Sequence, residues 1–351
     1  MSDQSKFLRI SKQAKTALAE QMPLSYLDTD GMLAADSDSK VPSQKAAKTY
    51  IDSPWKPAGA SWVNYTEPKA DGDFDIVNNT IKTTVDVPML TPVCFSGTGT
   101  MPGGIALGAA YYAIRVDASH IRLGATVQAA YDVYNGVSGV SPVDITSLGS
   151  GQRILVFLNR VITSGDCRET YSPGYRIKLT QDAAVKYFYL LGMTYLDGNT
   201  ILTLSYDSSY KLSVNGIAGV YYSWFANPPG FPLRRHWVSA YKGFSTPPPG
   251  TVKNYQIAID GICRFFVYDT AAYTGISNAA DYKLTLPVYA HGGSSAVYPY
   301  CAVIDNGVTQ LDLGYCGVGL FECTVIKNQQ LAGFAISGNK GARVHGECYI
   351  S

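Results

Sequence analysis

The sequence predicts a mainly β chain with a short α-helical N-terminal region, and three observations carry that reading. Apolar and polar residues alternate in short runs from about Trp62 onward, the period of strands with one buried face. Gly 34, Pro 18 and Tyr 26, with aromatics at 12%, supply turn formers and the ring side chains favoured on pleated surfaces. Helical spacing is confined to the stretch before Pro54.

At 351 residues the chain is too long for one small core, and two to four domains are expected. A net charge of +1 with 16% charged residues gives no sequence-wide electrostatic case for nucleic acid or an anionic membrane. No apolar run reaches ~18 residues, so no membrane-spanning helix is expected. The opening Met-Ser-Asp-Gln-Ser-Lys lacks an apolar core followed by a small-residue cleavage site. No secretory signal is therefore expected, and synthesis is expected in a cytoplasm. Cys94, Cys167, Cys263, Cys301, Cys316, Cys323 and Cys348 form no C-x-x-C pair, which predicts free thiols packed as small hydrophobes.

Taken in order, Phe7, Ile10, Ala14 and Leu18 recur at spacings of three to four and predict an amphipathic helix over 5–20. So short a helix is marginal alone and needs a surface to pack against. A second helix is predicted from about Pro42-Ser43, with Ala46, Ala47, Tyr50 and Ile51 on one side and Pro54 and Pro57 ending it. Glycines 97, 99, 103, 104 and 108 predict tight reversals between short strands. Asp197-Gly198 predicts another reversal, followed by Leu202, Leu204 and Tyr206 alternating with Thr203 and Ser205 as a strand with one buried face. Pro247-Pro248-Pro249 marks a stiff boundary. Beyond it, Tyr255 to Ile259, Asp260-Gly261 and Ile262 to Tyr268 predict a hairpin, and Asn306-Gly307 a further reversal.

Residues 33–52 carry a resemblance. They read Leu-Ala-Ala-Asp-Ser-Asp-Ser-Lys-Val-Pro-Ser-Gln-Lys-Ala-Ala-Lys-Thr-Tyr-Ile-Asp. This is similar to a segment near the N-termini of many tailed-bacteriophage fibre and appendage proteins, with Asp36, Ser37, Asp38, Lys40, Pro42, Gln44, Lys45, Ala46, Lys48 and Tyr50 in place. Residues 75–149 resemble a small β module recurrent in phage structural proteins, through Pro92–Gly104, Gly108–Ile114, His120–Thr126 and Val143–Thr146. Residues 150–240 resemble a second such module, through Gly174–Gln181, Val185–Tyr189, Thr200–Leu204, Tyr221–Ser223 and Asn227–Pro232. The segment 251–351, ending Gly346-Glu-Cys-Tyr-Ile-Ser, resembles the C-terminal β-sandwich of phage fibres.

The resemblance implies a helical virion-attachment and oligomerisation region over 1–58, a small β module over 59–149 and a second over 150–246. An outward-facing, jelly-roll-like antiparallel sandwich follows over 247–351. It implies a homotrimer on the virion surface whose N-terminal region, through Phe7, Ile10, Ala14, Leu18, Val41 and Tyr50, docks on another virion protein. Host-surface glycan or protein would meet the C-terminal domain. The alternatives are a capsid decoration or head-fibre protein without receptor binding and a polysaccharide depolymerase.

No motif adds catalytic chemistry. His120, His236, His291 and His345 show no metal-ligand spacing, and the H-x-H repeats of metal-holding fibre tips are missing. Gly97–Gly104 lacks the Gly-Lys-[Ser/Thr] ending of a phosphate loop and reads as a turn cluster. Asp269, Asp281, Asp305, Asp312, Glu322 and Glu347 supply acids in the last domain but no recognisable glycosidase pair. No enzyme, cofactor, metal site, nucleic-acid partner or membrane insertion is expected. Aromatics from Tyr221 to Tyr300 are the better lead, since Tyr and Trp enrich at interfaces although most fill cores. Tyr273, Tyr298 and Tyr300, with His291 in a Gly-Gly-Ser-Ser run, are the expected host-surface residues because binding concentrates on loops. Arg234-Arg235-His236 reads as a solvated turn.

Overall fold

In a computed structural model the described residues are 27–28, 41–42, 53–207, 209–232, 234–249, 251–269, 275–290, 297–306, 308–309, 314–326, 334–336 and 338–350. The chain divides into two compact units, Met1–Gly59 and Ala60–Ser351. In the first, Leu27–Asp28 and Val41–Pro42 pair as short parallel strands, with Leu27 opposite Val41. Phe7, Ile10, Ala14, Leu18 and Tyr50 lie outside the described residues, as do the helix predicted over 5–20 and the part of the second predicted helix beyond Pro42.

The second unit is mainly antiparallel β-sheet, part of it curled into a half-barrel, with one short helix among the described residues. Its organising element is the strand Arg153–Ser164, whose sequence RILVFLNRVITS is apolar at almost every early position and buried on both faces. Trp62–Lys69 runs antiparallel along one edge of it, from Lys69 opposite Arg153 to Trp62 opposite Thr163. Pro68 has no N–H to donate, and it sits on a strand that takes this one partner among the described residues. From Arg153–Ser164 the sheet extends one way through Pro92–Gly97, Ala110–Arg115, His120–Gly124, Thr80–Lys82 and Phe74–Asp75. From a later stretch of the same edge it also extends through Asn199–Leu204, Ala184–Leu196, Arg176–Gln181 and Ile217–Ser223. Sheet pairing thus runs without a break across position 149/150.

The core under this sheet gathers Tyr65, Phe74, Phe95, Ile121, Leu155 and Phe157. Tyr65 and Phe157 lie with ring centroids 5.2 Å apart, a tilted contact that adds to simple area burial.

Local sequence explains the turns. Leu196 faces Asn199 across a two-residue loop in which Asp197 and Gly198 have φ of 50° and 78°. Two positive φ values match the right-handed strand twist, so the predicted reversal is a tight hairpin. Val252–Ile257 and Ile262–Tyr268 form the predicted second hairpin, closed by Ala258 and Gly261. Asn306, at φ 52°, begins the reversal that sets Asp305 opposite Val308.

Val127–Tyr134 is a helix where strands and turns alone were expected. Thr126 caps it, its Oγ1 accepting from Ala129 N at 3.0 Å. Val127, Ala130 and Tyr131 form its buried stripe. The Gln128 side-chain amide stands in for a strand partner, donating to Tyr241 O and accepting from Tyr241 N, each at 2.8 Å. Gly124 admits the helix closely, because a Cβ there would meet Ala130.

The expected alternation after Gly198 holds at Leu202 and Leu204 and fails at Ser205, which is fully buried. Its hydroxyl accepts from Tyr189 N at 2.9 Å, so this end of the strand is covered on both faces.

A second antiparallel sheet follows the order Arg235–His236, Val252–Ile257, Ile262–Tyr268, Asn339–Tyr349, Val297–Asp305, Gly314–Val318, Glu322–Ile326, Lys283–Thr285 and Tyr241–Lys242. Arg235 corrects the solvated-turn expectation. It is 2% exposed, paired in register with Tyr255, and its guanidinium meets the buried Asp207 carboxylate.

Candidate functional site

The Arg153–Ser164 strand changes partner along one edge. Residues 153–157 pair with Pro92–Gly97, ending at Phe157 opposite Val93. Pairing resumes with a different strand at Arg160 opposite Thr203. Because Trp62–Lys69 occupies the other edge, the two partners must diverge from the same side, and the sheet forks at Leu158-Asn159. The Leu158 carbonyl is taken by Leu212 N at 3.1 Å. The opposite register also slips here, with Val156 facing Thr66 and Val161 facing Asn64. A bulge of this kind re-aims side chains.

A cavity of about 120 Å³ occupies the fork, lined by Thr91 and Pro92 from one prong, Thr203 and Leu204 from the other, and Asn159 and Arg160 at the base. Its walls are aromatic. Tyr112 and Tyr206 join hydroxyl to hydroxyl at 2.8 Å, and Tyr289 stacks on Phe321 at 6.1 Å. Trp237 is fixed by its indole N–H, which donates to Thr285 O at 3.0 Å. The helix supports this side through Tyr131 and Tyr134, which both meet Phe321 edge-on.

The polar base is under-satisfied. Arg160 is 6% exposed and Asn159 8% exposed. Arg160 donates from Nη2 to the Asp86 carbonyl at 3.0 Å and lies over the Phe157 ring at 5.2 Å. The Asp86 carboxylate is engaged elsewhere, by Arg115 at 2.7 Å. Arg160 Nε and Asn159 Oδ1 have no hydrogen-bond partner among the described residues. Burial lowers the Arg160 pKa, and the nearby Tyr65, Glu67 and Asp86 oppose that shift. Burial, then the neighbouring Tyr112, pushes the Tyr206 phenol up, so it stays a donor.

Trp237 and Tyr289 belong to the aromatic run singled out in the sequence, and the fold brings both to this cavity. Tyr255 and Tyr282 are core residues, 1% and 0% exposed. Tyr273 and His291 lie outside the described residues, and of Tyr298 and Tyr300 only the positions on the Val297–Asp305 strand are described. Asn159 and Arg160 were missed in the sequence. The available signal was a polar pair interrupting an otherwise apolar strand.

Five of the six carboxylates noted in the sequence meet other groups of the fold. Asp269 accepts from Thr251, Tyr282 and Ala342 N, and burial raises its pKa against those bonds. Glu322 holds Tyr131 and Lys283, Asp305 takes Ala335 N, and Glu347 pairs with Arg264. Asp281 lies 3.8 Å from Lys242, and Asp312 is outside the described residues. His120 bonds Asp117, His236 meets Lys253 O, and His345 packs edge-on against Phe266. Among the described residues no three His, Cys, Asp or Glu side chains are grouped to hold a metal ion. Cys94, Cys263 and Cys348 are buried free thiols, Cys167 is a half-buried one, and Cys323 is buried.

The fork cavity is suited to binding: a cation and an amide with free valences sit at its base, and π faces surround them. Compared with family models, characterised proteins and solved structures, the chain matches none.

Proposed function

We propose that this chain is a structural component of a tailed-phage virion, a trimeric fibre or appendage protein. Residues 1–58 anchor it, the modules 59–149 and 150–246 act as spacers, and a jelly-roll-like sandwich over 247–351 faces outward to meet the host surface. The observation that carries this reading is the 33–52 segment, in which Asp36, Ser37, Asp38, Lys40, Pro42, Gln44 and Lys45 follow the fibre pattern in unbroken order. Support comes from the β-rich second unit and from the acids. Asp269 and Glu322 are committed to hydrogen bonds within the fold, which favours a binding role over hydrolysis.

Gold labelling of intact virions with an antibody to residues 251–351 tests it. Label on tail fibres or the tail tip is the expected result. Label scattered over the head moves the protein to a decoration role, and absence from particles with the epitope accessible overturns the virion reading. Light scattering that returns a monomer at micromolar concentration overturns the trimer.

A further inference from the structure

Four arginines of the second unit are buried, and three of them meet at least two acceptors each, although Arg153 Nε and Arg235 Nε also lack a hydrogen-bond partner among the described residues. Arg153 donates to Leu148 O and Asp71, Arg176 to Gly174 O and Ala226 O, and Arg235 meets Asp207 and Tyr187 O. Among the described residues Arg160 has one hydrogen-bond acceptor, the Asp86 backbone carbonyl, and no ion-pair partner. It is also the one of the four that lines the fork cavity. A buried guanidinium left in that state is costly for a fold and is retained where something else completes it.

The missing partners have a defined chemistry. Arg160 Nε needs an acceptor and Asn159 Oδ1, beside it in sequence, needs a donor. The Tyr112–Tyr206 hydroxyl pair uses one hydrogen between its two oxygens, which leaves a second to donate into the cavity. A carboxylate answers the guanidinium in charge and in planar geometry, and a hydroxyl next to it answers the amide oxygen. The flanking Trp237, Tyr289 and Phe321 suit a flat or ring-shaped apolar face. With a volume of about 120 Å³, the cavity is smaller than the ~150 Å³ that holds a benzene ring, so it takes the acid end of such a molecule and part of its ring.

We propose that the fork cavity is a binding site for a small hydroxy-carboxylate carrying a ring, with Arg160 holding the carboxylate, Asn159 the hydroxyl and Trp237, Tyr289 and Phe321 the ring. Such a group occurs at the end of an acidic sugar chain and also as a free aromatic hydroxy acid. The site stands apart from the virion reading, since it is measured on the isolated protein.

The test is calorimetric titration of the full-length protein with sodium glucuronate and sodium mandelate, beside their uncharged counterparts glucose and phenylethanediol. Saturable binding of at least one acid, about tenfold or more tighter than its neutral counterpart, is the expected result. Preference for glucuronate assigns the site to acidic sugars, and preference for mandelate to free aromatic acids. Arg160→Gln should weaken the acid about tenfold or more while leaving the neutral compounds unchanged, and Asn159→Leu should weaken acid and neutral compound alike. Because Arg160→Gln changes a buried side chain, the acid-to-neutral comparison on the unmodified protein decides by itself. Absence of saturable binding by both acids, or equal binding of acid and neutral compound, overturns the proposal.

Discussion

The Tyr131 hydroxyl donates a 2.6 Å hydrogen bond to Glu322 Oε2 across 191 residues of sequence. It joins the Val127–Tyr134 helix to the Glu322–Ile326 strand, and Phe321 beside it is a wall of the fork cavity. Glu322 also receives Lys283 Nζ at 2.7 Å, so the carboxylate is held from two sides. Burial first, and then the Glu322 carboxylate, drives the phenol pKa up and keeps the hydroxyl a donor. Tyr131→Phe removes one hydrogen bond to a charged acceptor and should cost about 1.5–3 kcal/mol in urea unfolding. Lys283→Met removes a partly exposed pair and should cost no more than about 1 kcal/mol.

Glycine is required for different reasons at Gly97 and Gly198. At Gly97, with φ 139°, a Cβ would collide with the Gln152 carbonyl, where the 97–104 loop closes on the segment leading into the Arg153–Ser164 strand. At Gly198, with φ 78°, a Cβ would meet open space. Gly97→Ala should therefore lose about 2–4 kcal/mol, because backbone must move to admit it. Gly198→Ala should lose only about 1 kcal/mol, the cost of the left-handed conformation alone. Equal losses in thermal unfolding would mean that the loop yields easily.

Lys340 gives stability a measurable pH dependence. Its ammonium is fully buried, donates to the Ala279 and Asp281 carbonyls and lies over the Phe244 and Phe334 rings. Burial lowers its pKa from 10.5 to about 8, against the pull of Asp281 and Asp305. Between those two values the unfolded chain binds more protons than the folded one, so this group's contribution rises with pH across the window. The stability difference between the unmodified protein and Lys340→Met should be flat below pH about 8 and should shift towards the unmodified protein up to pH about 10.5. Denaturant unfolding at several pH values reads it, and a difference independent of pH refutes it.

How far the sequence could be read depended on whether the signal was local. The Asp197-Gly198 hairpin and the Tyr255–Tyr268 hairpin were legible because turn chemistry and strand period sit within a few residues. The Val127–Tyr134 helix was hidden by its brevity, since three buried residues beside a Thr cap give too short a periodic pattern. Trp237 and Tyr289 stood out as aromatics, but their convergence with Asn159 and Arg160 depends on a strand that exchanges Pro92–Gly97 for Asn199–Leu204 part-way along. No window of sequence records that exchange. Arg235 was misread for a related reason, because its partner Asp207 belongs to a distant segment and a basic triplet viewed alone resembles surface.

That buried pair is the sharpest test of the packing between Asp207 and the second sheet. Asp207 accepts from Ser209 N and Tyr210 N, each at 2.8 Å, and from Tyr255 OH at 3.4 Å, while Arg235 donates to Tyr187 O at 2.7 Å and lies 4.7 Å from the Tyr210 ring centre. Side-chain exposures of 1% and 0% leave water no role in replacing either partner. Asp207→Asn keeps the shape and strands the guanidinium, so it should cost about 3–5 kcal/mol in denaturant unfolding. Arg235→Met strands the carboxylate in the same way and should cost about as much. The double variant removes both charges together and should lose less than the two single losses combined, by about 1–3 kcal/mol of coupling. Strict additivity would show that Arg235 and Asp207 are held independently, each by its own backbone partners.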